Sequence, residues 1–191
     1  MFEKFGEMGS YEEVNLAAEG LKKEGDKESL YALAEENGVD KEDAEDYLLG
    51  YTQELIPNAI SGALAKLKVE ISKNTKLYEG QELINDWISR IRMKIMEEDV
   101  FARSVRSKGK SLKGCIASIL KWSFANMVTL DGELVKAAGV NAGRVALGVP
   151  GMRTASELID KYYLSTDTAA EPKAEPEQCT ENESEEVDGD V

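Results

Sequence analysis

An all-α fold is the class this sequence predicts, and three observations predict it. Apolar residues recur at intervals of three and four from the start of the chain to about Asn126. Hydroxyl and carboxylate residues stand just ahead of those stripes, and Gly or Asn-Gly steps stand just behind them, where helices start and stop. No sustained alternation of apolar and polar residues marks a strand. The expected architecture is a compact bundle of short to medium helices, followed by an acidic disordered C-terminal tail.

Ser10-Tyr-Glu-Glu13 fits a capping box, in which a hydroxyl serves the free amides and a carboxylate reaches back three residues later. Behind it, Tyr11, Val14, Ala17, Ala18 and Leu21 fall on one helical face. Asp26 is placed to cap a second helix carrying Leu30, Leu33 and Ala34, which Asn37-Gly38 stops in a left-handed turn. Asp40 opens a third helix with Ala44, Tyr47, Leu48, Tyr51 and Leu55 inward, and Pro57 ends it or starts the next. Ile60, Ala63, Leu64, Leu67 and Ile71 form a fourth stripe, and Lys73 to Gly80 reads as a loop.

The clearest amphipath follows, with Leu83, Ile84, Trp87, Ile88, Ile91 and Ile95 running on to Val100 and Phe101. Lys108-Gly109-Lys110 breaks it, and Ser111 caps a helix bearing Leu112, Cys115, Ile116, Ile119 and Leu120. Trp87 and Trp122 both lie on stripes and read as core. Asp131 to Ala138 forms a short helix ending at Gly139, and Gly143 to Gly151 is a turn-rich connector in which Val145 to Val149 is a short extended piece. Thr154-Ala-Ser-Glu157 fits a second capping box, leading to Leu158, Ile159, Tyr162 and Tyr163.

Charge divides the same chain into regions. Residues 1–56 hold 5 Lys/Arg against 16 Asp/Glu, a net of −11 within a total of −14. Residues 90–121 hold 9 against 3, and residues 167–191 hold 1 against 10. This sets out an acidic helical region over 1–56, a central and C-terminal helical region with a basic junction over 57–166, and an acidic tail over 167–191. The hydrophobic share of 42% is near the globular average, so acidity alone does not imply disorder. The tail is the exception: ten acids, two prolines and no aromatic residue cannot bury enough surface to offset the entropy of ordering. Net charge of this size repels nucleic acid and anionic membranes and favours basic surfaces.

Several chemistries are set aside by residue type. The chain has no histidine, which removes most acid–base and nucleophile constellations. Cys115 has apolar neighbours and reads as a core thiol, and Cys179 stands in the tail. Two such cysteines make neither a disulfide framework nor a zinc site, and a reducing cytoplasm is the expected home. The start of the chain shows no apolar signal segment and no run is long enough to span a membrane. Lys108-Gly109-Lys110-Ser111 lacks the earlier glycine of a phosphate loop, with Ser104 in its place. No pair of carboxylates stands out beside a nucleophile or base, so no catalytic residue, metal or cofactor is expected.

Two clusters remain. Glu35, Glu36, Asp40, Glu42, Asp43 and Asp46, with Glu45, form the densest acidic run, without the spacing of a calcium loop. Acids near a helix N-terminus favour its dipole, a purely structural account. Carboxylates at close intervals on two short helices also imitate a phosphate backbone. Arg103, Arg106, Lys108, Lys110 and Lys113 place five cations at a helix–loop–helix junction. They suit phosphates or an acidic protein surface, or they pair with the chain's own acidic head.

Met1-Phe-Glu-Lys-Phe-Gly6 and Ala34-Glu-Glu-Asn-Gly-Val-Asp-Lys-Glu-Asp-Ala-Glu-Asp46 resemble small acidic proteins of phages and conjugative elements in gut Firmicutes. Lys110-Ser-Leu-Lys-Gly-Cys-Ile116 and Glu157-Leu-Ile-Asp-Lys-Tyr-Tyr163 resemble the PcfK-like conjugative-element family, where a Ser-Leu-x-x-Cys helix precedes a last helix ending in paired aromatics. The chain departs from that family in its acidic head, its Gly-rich connector and its lack of a His near the end. Members of such groups have been named as anti-CRISPR inhibitors of RNA-guided nucleases. The resemblance implies a non-enzymatic binding protein of a mobile element, acting in the bacterial host cytoplasm on a CRISPR–Cas effector nuclease with or without its guide RNA. Such a nuclease holds its heteroduplex in a basic channel, which an acidic head would fit. The alternative expectation is a nucleic-acid-binding accessory of phage or plasmid replication and transfer, working through the basic junction.

Overall fold

Ten helices carry the chain, with one pair of two-residue strands, in a computed structural model that describes residues 4–139 and 141–166. The all-α prediction holds. The expected disordered tail, 167–191, lies outside the described residues. The first three helices are α1 (Tyr11–Glu24), α2 (Lys27–Glu36) and α3 (Lys41–Leu49). They close around Val14, Ala18, Leu30, Leu33, Ala34, Ala44 and Tyr47, with Leu55 and Ile56 from the following connection.

The longer helices form the larger core: α4 (Ala59–Lys73), the single turn α5 (Thr75–Tyr78), α6 (Glu82–Glu97), α7 (Asp99–Arg106) and α8 (Leu112–Ala125). The last helix, α10 (Met152–Leu164), packs on α6, α7 and α8. Trp87, Ile91, Ile95, Phe101, Leu112, Ile119 and Tyr163 fill the centre. Tyr163 stands edge-on to both Phe101 and Tyr162, with ring centroids 5.4 and 5.0 Å apart. Tyr11 packs against both cores and α4 packs on α7, so head and body are joined rather than strung.

Most of the caps act as the sequence implies. Ser10, Asp26 and Ser111 each accept an amide hydrogen bond from the residue three further on, and Asn58 caps α4 in the same way. Glu13 reaches back to the Gly9 amide at 2.8 Å, one residue beyond the expected partner, Ser10. Between α8 and α10, β1 (Val128–Thr129) pairs antiparallel with β2 (Ala146–Leu147), and α9 (Gly132–Ala137) starts at Asp131. The extended piece expected near Val145 is the second of those strands.

The structure corrects five sequence expectations. The long amphipath is two helices, because Glu98 adopts an extended conformation between them. In one continuous helix Phe101 would stand well off the face of Ile95, and the break re-phases it into the core while leaving Val100 outside. Lys73 to Gly80 is largely helical and buries Tyr78. Gly50 ends α3 in the left-handed region before Tyr51, which is 77% exposed. Trp122 is half-buried and outside both cores. Finally, α10 begins at Met152, so Thr154 lies inside its first turn and caps nothing; Glu157 pairs with Arg153 at 3.1 Å instead.

One glycine is required by close approach as well as by conformation. Gly38 has φ +76°, and a Cβ there would lie 2.4 Å from the Ala65 carbonyl oxygen of α4. We expect Gly38→Ala to cost more than about 2 kcal/mol in urea unfolding. Gly25→Ala has a similar φ of +73° and open space around it, and should cost about 1 kcal/mol. Equal losses would remove the packing argument.

Candidate functional site

The basic junction lies between α7 and α8, and folding uses most of it. Arg106 is 2% exposed. Its Nη1 donates to the Gly62 carbonyl of α4 at 3.0 Å and its Nη2 to Asn37 Oδ1 at the end of α2. Burial lowers its pKa to about 10, against the opposing charge of Glu13. Lys110 is also buried and donates to the Tyr162 and Ser165 carbonyls at 2.8 Å and to Ser165 Oγ at 3.0 Å. These two cations hold helices together and present no charge to a partner.

Arg103 and Lys108 are exposed but meet the acidic head. Arg103 binds Glu12 at 2.7 Å and Asp99 at 2.9 Å, with its guanidinium 5.4 Å from the Tyr11 ring centre. Lys108 lies 3.6 Å from Glu13. The Gly109 amide donates to both Glu7 carboxylate oxygens at 3.2 Å. Slight burial works against the ionised form of Glu12, but bonds from Arg103, its own amide, Ser10 and Tyr11 hold its pKa at about 2. Lys113 stands exposed on the first turn of α8.

Sequence reading missed a further buried cation in this junction. Lys66 Nζ donates to the Val105 and Lys110 carbonyls at 3.1 and 2.6 Å and lies 3.9 Å from Glu70. Glu70 in turn accepts from the Leu112 amide at 2.5 Å. Burial lowers the Lys66 pKa and raises that of Glu70, each shift partly offset by the other's charge. A Lys and Glu four apart usually read as a solvated pair; the apolar neighbours Leu67 and Val69 were the available signal.

The acidic run divides differently. Glu36 accepts from the Lys4 and Phe5 amides at 2.8 and 3.4 Å and so holds the N-terminal segment onto α2. Asp40 pairs with Lys68 of α4 at 2.8 Å. Glu35, Glu42, Asp43 and Asp46 are exposed and make no ion pair among the described residues. Dipole stabilisation accounts for Glu42 and Asp43 in the first turn of α3. It works against Glu35 in the last turn of α2 and Asp46 in the last turn of α3, where the carbonyl ends are already negative.

Beside this face runs a groove of about 590 Å³ between α4 and the connection that precedes it. Asp43 lines it, together with Glu54, which the sequence reading did not single out. Cys115 is fully buried on α8, and burial raises its pKa, which suits packing and not attack. Among the described residues no three His, Cys, Asp or Glu side chains are placed to share a metal ion, and no helix is long and apolar enough to cross a membrane.

Fold and site together define an all-α protein whose outward charge is acidic and whose basic segment has two cations buried and two more paired at the surface with its own carboxylates. No protein-family model, curated protein or solved structure matches the chain significantly.

Four outcomes test this arrangement. Arg106→Met should cost about 2–4 kcal/mol, because the Asn37 and Gly62 oxygens lose their donor in a dry interface. Arg103→Ala removes a solvent-screened pair, so it should lower the unfolding midpoint only slightly, and to about the same extent as Glu12→Gln at neutral pH. Acid unfolding carries the sign of the depressed Glu12 pKa. Its contribution is complete above pH 4.5 and is lost as pH falls towards 2, so wild type and Glu12→Gln should differ near neutral pH and converge in acid. Glu35→Gln with Asp46→Asn should raise the Tm or leave it unchanged; a clear loss would give those carboxylates a structural role.

Proposed function

We propose that this chain is a non-enzymatic binding protein of a mobile genetic element, an anti-CRISPR inhibitor that sets its acidic helical head against the basic nucleic-acid surface of a CRISPR–Cas effector nuclease. One observation carries the binding part of this reading. Glu35 and Asp46 stand exposed, without an ion pair among the described residues, at helix ends where their charge opposes the dipole. Charges kept where they do not help folding point to a partner outside the chain. The nuclease as partner comes from the resemblance of the opening segment, the acidic run and the last helix to mobile-element proteins.

The junction supports this reading over direct binding of nucleic acid. Arg106 and Lys110 are enclosed, and Arg103 and Lys108 are engaged with Glu12 and Glu13. Lys113 is the remaining member of that cluster at the surface. A phosphate contact there would have to displace carboxylates of the same molecule. The setting that follows is the cytoplasm of a bacterial host.

Guided DNA cleavage by a panel of CRISPR effector nucleases, beside an unrelated nuclease, is the direct test. Selective loss of guided cleavage is expected, weakening as salt is raised. The combined variant Glu35→Lys, Glu42→Lys, Asp43→Lys and Asp46→Lys should abolish inhibition with the helical circular dichroism signal intact. Glu36 is left in place because it holds the N-terminal segment. Cleavage unaffected across the panel, or inhibition surviving the charge reversal, would overturn the reading.

A further inference from the structure

The groove beside α4 differs from the rest of the acidic surface in what lines it. The buried and half-buried residues that line it, its floor, are apolar apart from Ser61: Val39, Leu55, Ile56 and Ala65. Its exposed rim carries Asp43 and Glu54 beside the uncharged Thr52, Gln53 and Pro57, and no lysine or arginine lines it. At about 590 Å³ and open to solvent along one side, it has the size of a surface cleft that takes part of a ligand.

The walls are held before any partner arrives. Asn15 of α1 grips Ile56 twice, donating to its carbonyl at 2.8 Å and accepting from its amide at 2.9 Å. The opposite wall is the start of α4, where Asn58 accepts from the Ser61 amide at 2.8 Å. A site that need not be ordered on binding keeps the affinity that ordering would consume.

An apolar floor below two carboxylates suits a side chain with an aliphatic stem and a cationic end. Arginine fits this better than lysine, because its guanidinium is planar, weakly hydrated and able to face two carboxylates at once. Its methylenes would cover the floor while the charge stays at the rim. The N-terminus of α4 opposes a cation with about half a charge, and two full carboxylates outweigh it.

We propose that this groove takes an arginine-bearing segment of a basic protein surface, with the guanidinium at Asp43 and Glu54 and the methylenes against Val39, Ile56 and Ala65. The proposal rests on the reading of the chain as a binder of a basic nuclease surface, and it names the side chain that surface would present.

The test is an NMR titration of the full chain with a short peptide of alternating arginine and glycine, beside its lysine counterpart. The arginine peptide should shift the Val39, Leu55 and Ile56 amides and bind about ten-fold more tightly than the lysine peptide. Ser61→Tyr fills the groove without changing charge, and the pair Asp43→Asn with Glu54→Gln removes the rim. Each should weaken binding by about ten-fold, whereas Glu24→Gln with Glu28→Gln, near the opposite end of α2, should change it by less than about two-fold. The wild-type shift map needs no variant and guards against a misfolded one. Unchanged binding in Ser61→Tyr, or equal loss in the control pair, would reduce the effect to diffuse charge attraction and overturn the proposal. A nuclease panel untouched by wild type, with groove-dependent peptide binding intact, would remove the inhibitor reading and leave the groove. Inhibition without peptide binding in the groove would do the reverse.

Discussion

Three buried cations at three helix ends are the constraint on which the rest of the structure depends. Lys66 donates to the Val105 carbonyl near the end of α7, Lys110 to the Tyr162 carbonyl near the end of α10, and Arg106 to Asn37, the residue that ends α2. Asn37 itself donates to the Leu33 carbonyl, so Arg106 closes the end of α2 through it. Helix C-termini leave carbonyls without partners and carry partial negative charge, and a cation answers both needs. An unpaired buried cation would cost several kcal/mol, so these positions are tolerable only because the carbonyls converge on them. Lys94, the fourth buried cation, is handled by a direct ion pair with Asp160 of α10 at 2.6 Å.

That arrangement reverses the apparent meaning of the basic segment. In sequence, Arg103 to Lys113 looks like a patch offered to phosphates. In the fold, Arg106 and Lys110 face inward, while Arg103, Lys108 and the Gly109 amide meet Glu12, Glu13 and Glu7 across the seam between head and body. The surface is therefore more uniformly acidic than the charge order along the chain suggests. Of the carboxylates of α2 and α3, Glu35 and Asp46 stand exposed at helix ends where folding does not need them.

The same seam relates the candidate site to the scaffold. Gly38 and Val39 follow α2 and lie against α4, with the Gly38 Cα close beneath the Ala65 carbonyl. Arg106 fixes the end of α2 just before that contact, and Asn15 fixes Ile56 on the other side of the groove. The acidic groove is a consequence of how the segment after α2 and the connection from α3 lie against α4. Its shape depends on buried polar contacts more than on its own lining.

What the sequence determined by itself is the set of helices, most of their caps, and the sorting of charge. Local chemistry decides those: Ser10, Asp26 and Ser111 meet amides three residues away, and apolar spacing sets which face turns inward. It was misleading where two local signals competed. Thr154 and Glu157 match a capping box, yet the helix starts earlier at Met152, and the Glu97–Asp99 run hid a break that only the packing of Phe101 requires. Tertiary structure alone decided which charges are inside. Arg106, Lys110 and Lys66 look like solvated side chains in any local reading, because their partners are mostly backbone carbonyls 39 to 55 residues away. A carbonyl has no sequence signature, since every residue carries one. Only the fold can show which of them gather around a cation.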